Sequence, residues 1–172
     1  LVALCSFTHF SRLFLSVHSR MSISVIVYFG NAPILWYGKK NAHEGMSSTH
    51  DEVQALKEAA QIAVHVQKLF EDMGFDPEIL TMPIPVLGDN RQCIKWSRED
   101  YVTPGNRYYA RDLRFIKRRV EDGTICTRFI PGKDNYADIG TKPQELADYK
   151  RLINGLRGNG DLLPDLPPPP AT

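Results

Sequence analysis

The sequence predicts an α/β domain, a mixed sheet with helices packed on it. Three observations lead there. A β-branched and aromatic run over Ser22–Phe29 is followed, after a Gly30-Asn31 turn signal, by the run Ile-Leu-Trp-Tyr at 34–37. A long amphipathic stripe then covers residues 49–73. Beyond it, short apolar runs alternate with stretches of helical period.

The elements follow in order. Ser22–Phe29 is apolar on both faces in its second half, as a central strand is, and pairs with 34–37 as a hairpin. Residues 14–19 are a candidate strand before them. In the long helix Leu56, Ala59, Ala63, Val66, Phe70 and Met73 fall on one stripe, and Gly74 supplies a stop. Residues 83–87 form a short strand with its prolines confined to the start. A short helix after Asp89 carries Cys93, Ile94 and Trp96. A helix over 107–121 places Tyr109, Leu113, Ile116 and Val120 on one side. Asp122-Gly123 turns into a strand at 124–130. A last helix is expected over 135–156, with a break near 140–143. The proline-rich tail, 158–172, is expected to be disordered.

With 172 residues, 42% hydrophobic and 24% charged, the chain suits one domain with a real core. A net charge of +1 argues against a uniformly basic nucleic-acid binder but leaves room for a local basic face. Cys5, Cys93 and Cys126 lie far apart, without zinc spacing, and suit a reducing compartment. The apolar opening is broken by His9 and Arg12, falls short of a membrane span and lacks the charged start of a signal peptide. A fragment, or a true start at Met21, accounts for the leading Leu1. Trp36 and Trp96 are read as core or partly buried aromatics, and His65 as a packed mid-helix residue.

Three acids stand in suggestive places. Glu52 lies one turn before Leu56, on the inner stripe, although Thr49-x-x-Glu52 also matches a capping box. Asp89 follows an apolar strand, where ligand-binding acids often sit, and is equally an N-cap candidate. Asp138 by itself reads as a solvated acid in the first turn of a helix, after the more natural N-cap Asp134. Together the three can converge only across the sheet. Converging carboxylates need a cation, and hard oxygen donors select magnesium or manganese. Two such ions, about 4 Å apart, activate water and stabilise the leaving oxygen in phosphodiester cleavage.

An ordered series of motifs over residues 20–143 carries a resemblance. Pro33-Ile-Leu-Trp-Tyr-Gly-Lys-Lys40, Ser47-Ser-Thr-His-Asp-Glu52, Gly88-Asp-Asn-Arg-Gln92, Arg114-Phe-Ile-Lys117, Val120-Glu-Asp-Gly-Thr-Ile125 and Ala137-Asp-Ile-Gly-Thr-Lys-Pro143 occur in that order. The set is similar to the ribonuclease H domain of copia-type retrotransposon Pol polyproteins. The resemblance implies a ribonuclease H-like mixed sheet with flanking helices, with the domain at 20–157 and an unrelated segment at 1–19. It implies that Glu52, Asp89 and Asp138 are catalytic residues and ligands of a two-ion Mg2+ or Mn2+ site. The implied reaction is endonucleolytic cleavage of the RNA strand of an RNA–DNA hybrid. The implied context is an upstream reverse transcriptase region and an intracellular setting: cytoplasm, virus-like particle or nucleus.

The departures are specific. The family's first-strand Asp has no counterpart, because no Asp or Glu precedes Glu44. Val25 stands where the family has Gly, and His50 where it has Glu. The first strand is therefore expected to be missing or replaced, and catalysis to be impaired.

Arg107, Arg111, Arg114 and Arg118 follow helical spacing opposite the apolar stripe. Such a row can track phosphates, or be a plain solvated face. Ser48, Thr49 and Asn90 are neutral candidates for nucleic-acid contact, and the hydroxyls also suit a helix cap. The competing readings are a non-catalytic nucleic-acid-binding remnant and a small α/β interaction domain whose acids only cap helices.

Overall fold

The computed structural model describes residues 11–18, 22–30, 32–40, 48–76, 83–99, 104–141 and 143–157. The expected tail at 158–172 lies outside them. Five strands form one sheet: β1 (Ser11–His18), β2 (Ser22–Phe29), β3 (Ala32–Lys40), β4 (Ile84–Gly88) and β5 (Ile125–Phe129). Four α-helices are described: α1 (Ser48–Asp72), α2 (Arg91–Trp96), α3 (Ala110–Glu121) and α4 (Leu146–Leu156). Short 3-10 turns cover Arg107–Tyr109, Gly132–Asp134 and Tyr136–Gly140.

The strand order is β3-β2-β1-β4-β5. The first three strands pair antiparallel, while β4 pairs parallel with both β1 and β5. The sheet is thus mixed, as expected. Its central strand is Ser11–His18, a segment that the sequence reading sets outside the domain start at residue 20. The first strand is present and replaced: it is Ser-Arg-Leu-Phe-Leu-Ser-Val-His, without an acid.

Alternation along β2 divides the core. Ile23, Val25 and Val27 face α1 and meet Val53, Leu56, Ala59, Ala60 and Ala63, with Ile116 of α3 in the same cluster. Ile26 and Tyr28 face the other way and pack with Leu87, Ile130 and Ala137. The alanines of α1 bring that helix close to the sheet, and each fully buried Leu, Ile or Val contributes about 1.5–3 kcal/mol. The expected stripe of α1 is buried from Leu56 to Phe70, whereas Met73 is exposed at the helix end. Gly74, at φ +75°, takes the left-handed conformation that ends the helix. Lys57 of α1 meets Asp112 of α3 at 2.9 Å and ties the two helices.

Three expectations change. The last helix breaks near 140–143 as expected, but its first part, Tyr136–Gly140, is a 3-10 turn and the α-helix starts only at Leu146, because Pro143 cannot continue a hydrogen-bonded turn. Residues 107–109 form a 3-10 turn before α3. His65 is exposed, and Trp36 is 77% exposed on the edge strand β3, so neither is packed inside. Trp96 does pack partly buried against the core.

Candidate functional site

The first acid enters with α1. The helix begins at Ser48, so Thr49 lies within the first turn and Glu52 is half-buried one turn further. Its neighbour Asp51 is 1% exposed. The sequence reading missed Asp51, although it heads the buried Ala55–Ala59 line at spacing four. The second acid follows β4. There the N-cap of α2 is Asn90, whose side-chain oxygen accepts from the N–H groups of Gln92 (3.0 Å) and Cys93 (3.1 Å). Capping therefore belongs to Asn90, and Asp89 stands just outside the helix. Asp89 Oδ2 lies 3.3 Å from where a side chain on Gly132 would begin, so Gly132 leaves room beside the carboxylate.

Cys93 reports on both acids. Its thiol is pushed up to about 12, by burial first and then by the carboxylates of Glu52 and Asp89. The two acids, from α1 and from the end of β4, therefore share one buried neighbour.

Asp138 arrives from the other side. It is 8% exposed, so it is buried rather than solvated. Its turn is capped by Asn135, which accepts from the Ala137 N–H at 3.2 Å; Asp134 is not the cap. The backbone carbonyl of Asp138 accepts from the Thr141 N–H at 3.1 Å and from Gln144 Nε2 at 3.1 Å. The turn packs against β1 and β2, and Gly140 lies directly on Ser24.

The elements that carry the three acids thus all meet β1: α1 and the Tyr136–Gly140 turn pack on it, and β4, which Asp89 follows, pairs with it. In register, Ser16 of β1 pairs with Ser24. The parallel pair runs Leu13–Val86 and Phe14–Leu87, and two further steps set position 16 level with Asp89. Among the described residues, no group of three or more His, Cys, Asp or Glu side chains is placed to hold a metal ion.

On the outer face, Arg111, Arg114 and Arg118 are exposed along α3, Arg111 with its side chain 94% open. Arg107 lies in the preceding turn, over the Tyr108 ring at 4.7 Å. Thr49 is half-buried, and Ser48 falls at the helix start. Inside, His50 stacks on Tyr109 at 5.4 Å.

Two curated polyproteins align with this chain. One is the retrovirus-related Pol polyprotein from transposon RE1 of Arabidopsis thaliana, 27% identical over 129 residues, which are 75% of this chain and 9% of that protein. The other is its counterpart from transposon RE2 of Arabidopsis thaliana, 26% identical over 118 residues, 69% of this chain and 8% of that one. Two solved structures share the fold. The N-terminal RNase H domain of a Mycobacterium tuberculosis protein superposes with a TM-score of 0.56 at 11% identity, over 81% of this chain and 96% of that one. LC11-RNase H1, solved in complex with an RNA/DNA hybrid, gives 0.52 at 14%, over 76% and 91%. No protein-family model matches.

The chain has a ribonuclease H-like fold and is similar in sequence to a segment of transposon Pol polyproteins. It spans less than a tenth of the length of the polyproteins it matches. No helix among the described residues is long and apolar enough to cross a membrane. In this ribonuclease H-like chain the sheet, α1 and the turn after β5 carry the acids that the motifs single out.

Proposed function

We propose that this chain is a nucleic-acid-handling ribonuclease H-like unit of a transposon polyprotein, derived from a nuclease of RNA–DNA hybrids and impaired in cleavage. The observation that carries the reading is β1. It lies at the centre of the sheet, in contact with the elements that carry the acids, yet it brings no carboxylate. Glu52, Asp89 and Asp138 are the surviving metal-ligand candidates. With an acid-free β1, and with no metal-holding group of three His, Cys, Asp or Glu among the described residues, Glu52, Asp89 and Asp138 do not fit a two-ion magnesium or manganese centre. The charge and oxygen donors that such ions need are short by one acid. No catalytic step is therefore derived through metal. Binding instead uses the exposed Arg111, Arg114 and Arg118, with Arg107, Ser48, Thr49 and Asn90 at the margins. Such a row holds phosphates without reading sequence.

The test is a labelled RNA–DNA hybrid with magnesium or manganese. The chain should bind the hybrid and leave the RNA strand intact. Ser16→Asp places a carboxylate at the first-strand position level with Asp89, and should raise cleavage above background in a form that Asp89→Asn abolishes. Robust turnover by the unaltered chain, lost in Asp89→Asn, would sink the impairment. Failure to bind the hybrid at low salt would sink the nucleic-acid role.

A further inference from the structure

The two outer strands of the sheet are closed by different means. At β3 the ladder is interrupted by Pro33, by a register shift between Val27 and Tyr28, and by Lys39 and Lys40 at the strand's end. Such features keep a sheet from adding strands. β5 has none of them. It reads Ile-Cys-Thr-Arg-Phe, without proline or glycine, in unbroken register with β4. Among the described residues no strand pairs on its outer side.

Which groups β5 turns outward follows from its ladder. Ile84 N–H donates to the Thr124 carbonyl, and Ile130 N–H to the Gly88 carbonyl, each at 3.0 Å. In a parallel pair the bonding residues of a strand alternate, so positions 124, 126, 128 and 130 face β4. Ile125, Thr127 and Phe129 therefore direct their N–H and C=O groups to the free edge, with Thr127 in the middle.

Arg98, just after α2, occupies that middle position. Its Nη2 donates to the Thr127 backbone carbonyl, and its Nε donates to Thr127 Oγ1 at 3.2 Å. The residue before it is fixed. Ser97 is fully buried, donates its hydroxyl to the Ile94 carbonyl at 2.7 Å and lies 2.8 Å from Thr127 Oγ1. A guanidinium held in this way denies the Thr127 carbonyl to any incoming N–H.

We propose that β5 is a self-complementary edge to which a second copy of this chain can add, and that Arg98 is the latch that keeps it shut. Register argues for that occupant. A two-fold axis through Thr127 sets two β5 strands antiparallel, with Thr127 against the partner's Thr127 and Ile125 against the partner's Phe129. Every outward residue then meets an outward residue, and about six ladder hydrogen bonds form. A slip of one residue would set outward groups against groups already bonded to β4. The latch covers the centre of this array, where its loss opens the most. The inference stands apart from the nucleic-acid reading, because it involves neither the three acids nor the arginines of α3.

The experiment uses the full chain. In sedimentation, Arg98→Ala should approach twice the mass of the unaltered chain as concentration rises, with circular dichroism confirming the fold. Arg98→Gln, which keeps part of the stem, should do the same and decides the matter if Arg98→Ala fails to fold. Arg128→Cys, added to either variant, sets a thiol opposite the partner's Cys126. The two positions form a non-hydrogen-bonded pair with Cα atoms about 4.5 Å apart, within disulfide reach. Air oxidation should then yield a dimer whose linking peptides, read by mass spectrometry, join positions 126 and 128. With Arg98 intact, the same Arg128→Cys chain should yield several-fold less of it. A folded Arg98 variant that keeps the mass of the unaltered chain overturns the proposal. So does a dimer joined elsewhere, or equal cross-linking with the latch in place.

Discussion

Cys93 couples the two neighbouring acids to a measurable property. Its folded pKa, about 12, exceeds the ordinary thiol value near 8.5, so the folded chain holds the proton more tightly. The stability this represents is complete below the unfolded pKa and is lost as pH rises toward the folded one. Denaturation midpoints should therefore hold between pH 7 and 8 and fall through the window from about 8.5 to 12. Cys93→Ala should flatten that fall. It should not abolish it, because burial also raises Cys126 and Tyr28. An unchanged alkaline slope in Cys93→Ala would show that the thiol is not so held. Some of this neighbourhood was legible in sequence: Glu52 and Asp89 stood out by position. Cys93 did not, because a lone cysteine in a short helix carries no pattern until burial and two carboxylates surround it. Asp138 looked solvated for a related reason. Its buried turn depends on contacts with β1 and β2 that helical spacing cannot reveal.

At the level of elements, close approaches decide what can change. Gly140 sits on Ser24, and Gly155 sits on the Tyr136 ring, each too tightly for an added methyl. Gly140→Ala should destabilise the fold by about 1–3 kcal/mol through overpacking. Ser24→Gly removes the atoms it meets, so the double variant should recover part of the loss in urea denaturation. Strict additivity would argue against the contact. Gly123, at φ +76° after α3, meets no nearby atom, yet its backbone conformation strains any side chain. Gly123→Ala should cost about 1 kcal/mol in the same assay. The elements read most surely from sequence were β2 and α1, where an apolar run and a stripe repeated over many residues left one solution each. The last helix was read too long. Alternating Gly, Asp and Pro residues between 132 and 143 permit short 3-10 turns as readily as a helix start, and only packing on Ser24 and Ile26 selects them. Trp36 was misplaced because an aromatic residue in a strand is usually covered, and sequence does not show that β3 is an edge.

Across the whole molecule, charge is arranged rather than abundant. Arg111, Arg114 and Arg118 of α3 face outward while Leu113 and Ile116 hold that helix to the core. If the hybrid lies along this face, Arg111→Ala and Arg118→Ala should each weaken binding similarly for all sequences. Each should also reduce the salt dependence of log K by about one unit of slope. Unchanged slopes would return the row to a solvated surface. The mixed sheet was legible because hairpin, long helix and late strands occur in a recognisable order. The replacement of its first strand was legible in part: residues 14–19 stood as a candidate strand, but the apolar opening before them carried no signal that the strand begins at Ser11 and lies at the sheet's centre. That central position also governs how the chain is made. Translation delivers β1, β2, β3 and α1 well before β4, so the side of β1 that β4 later covers must wait, open, on the ribosome. Parallel closure between distant segments is slow. A nascent chain halted within α1 would thus present chaperones, or other nascent chains, with a sticky half-built sheet.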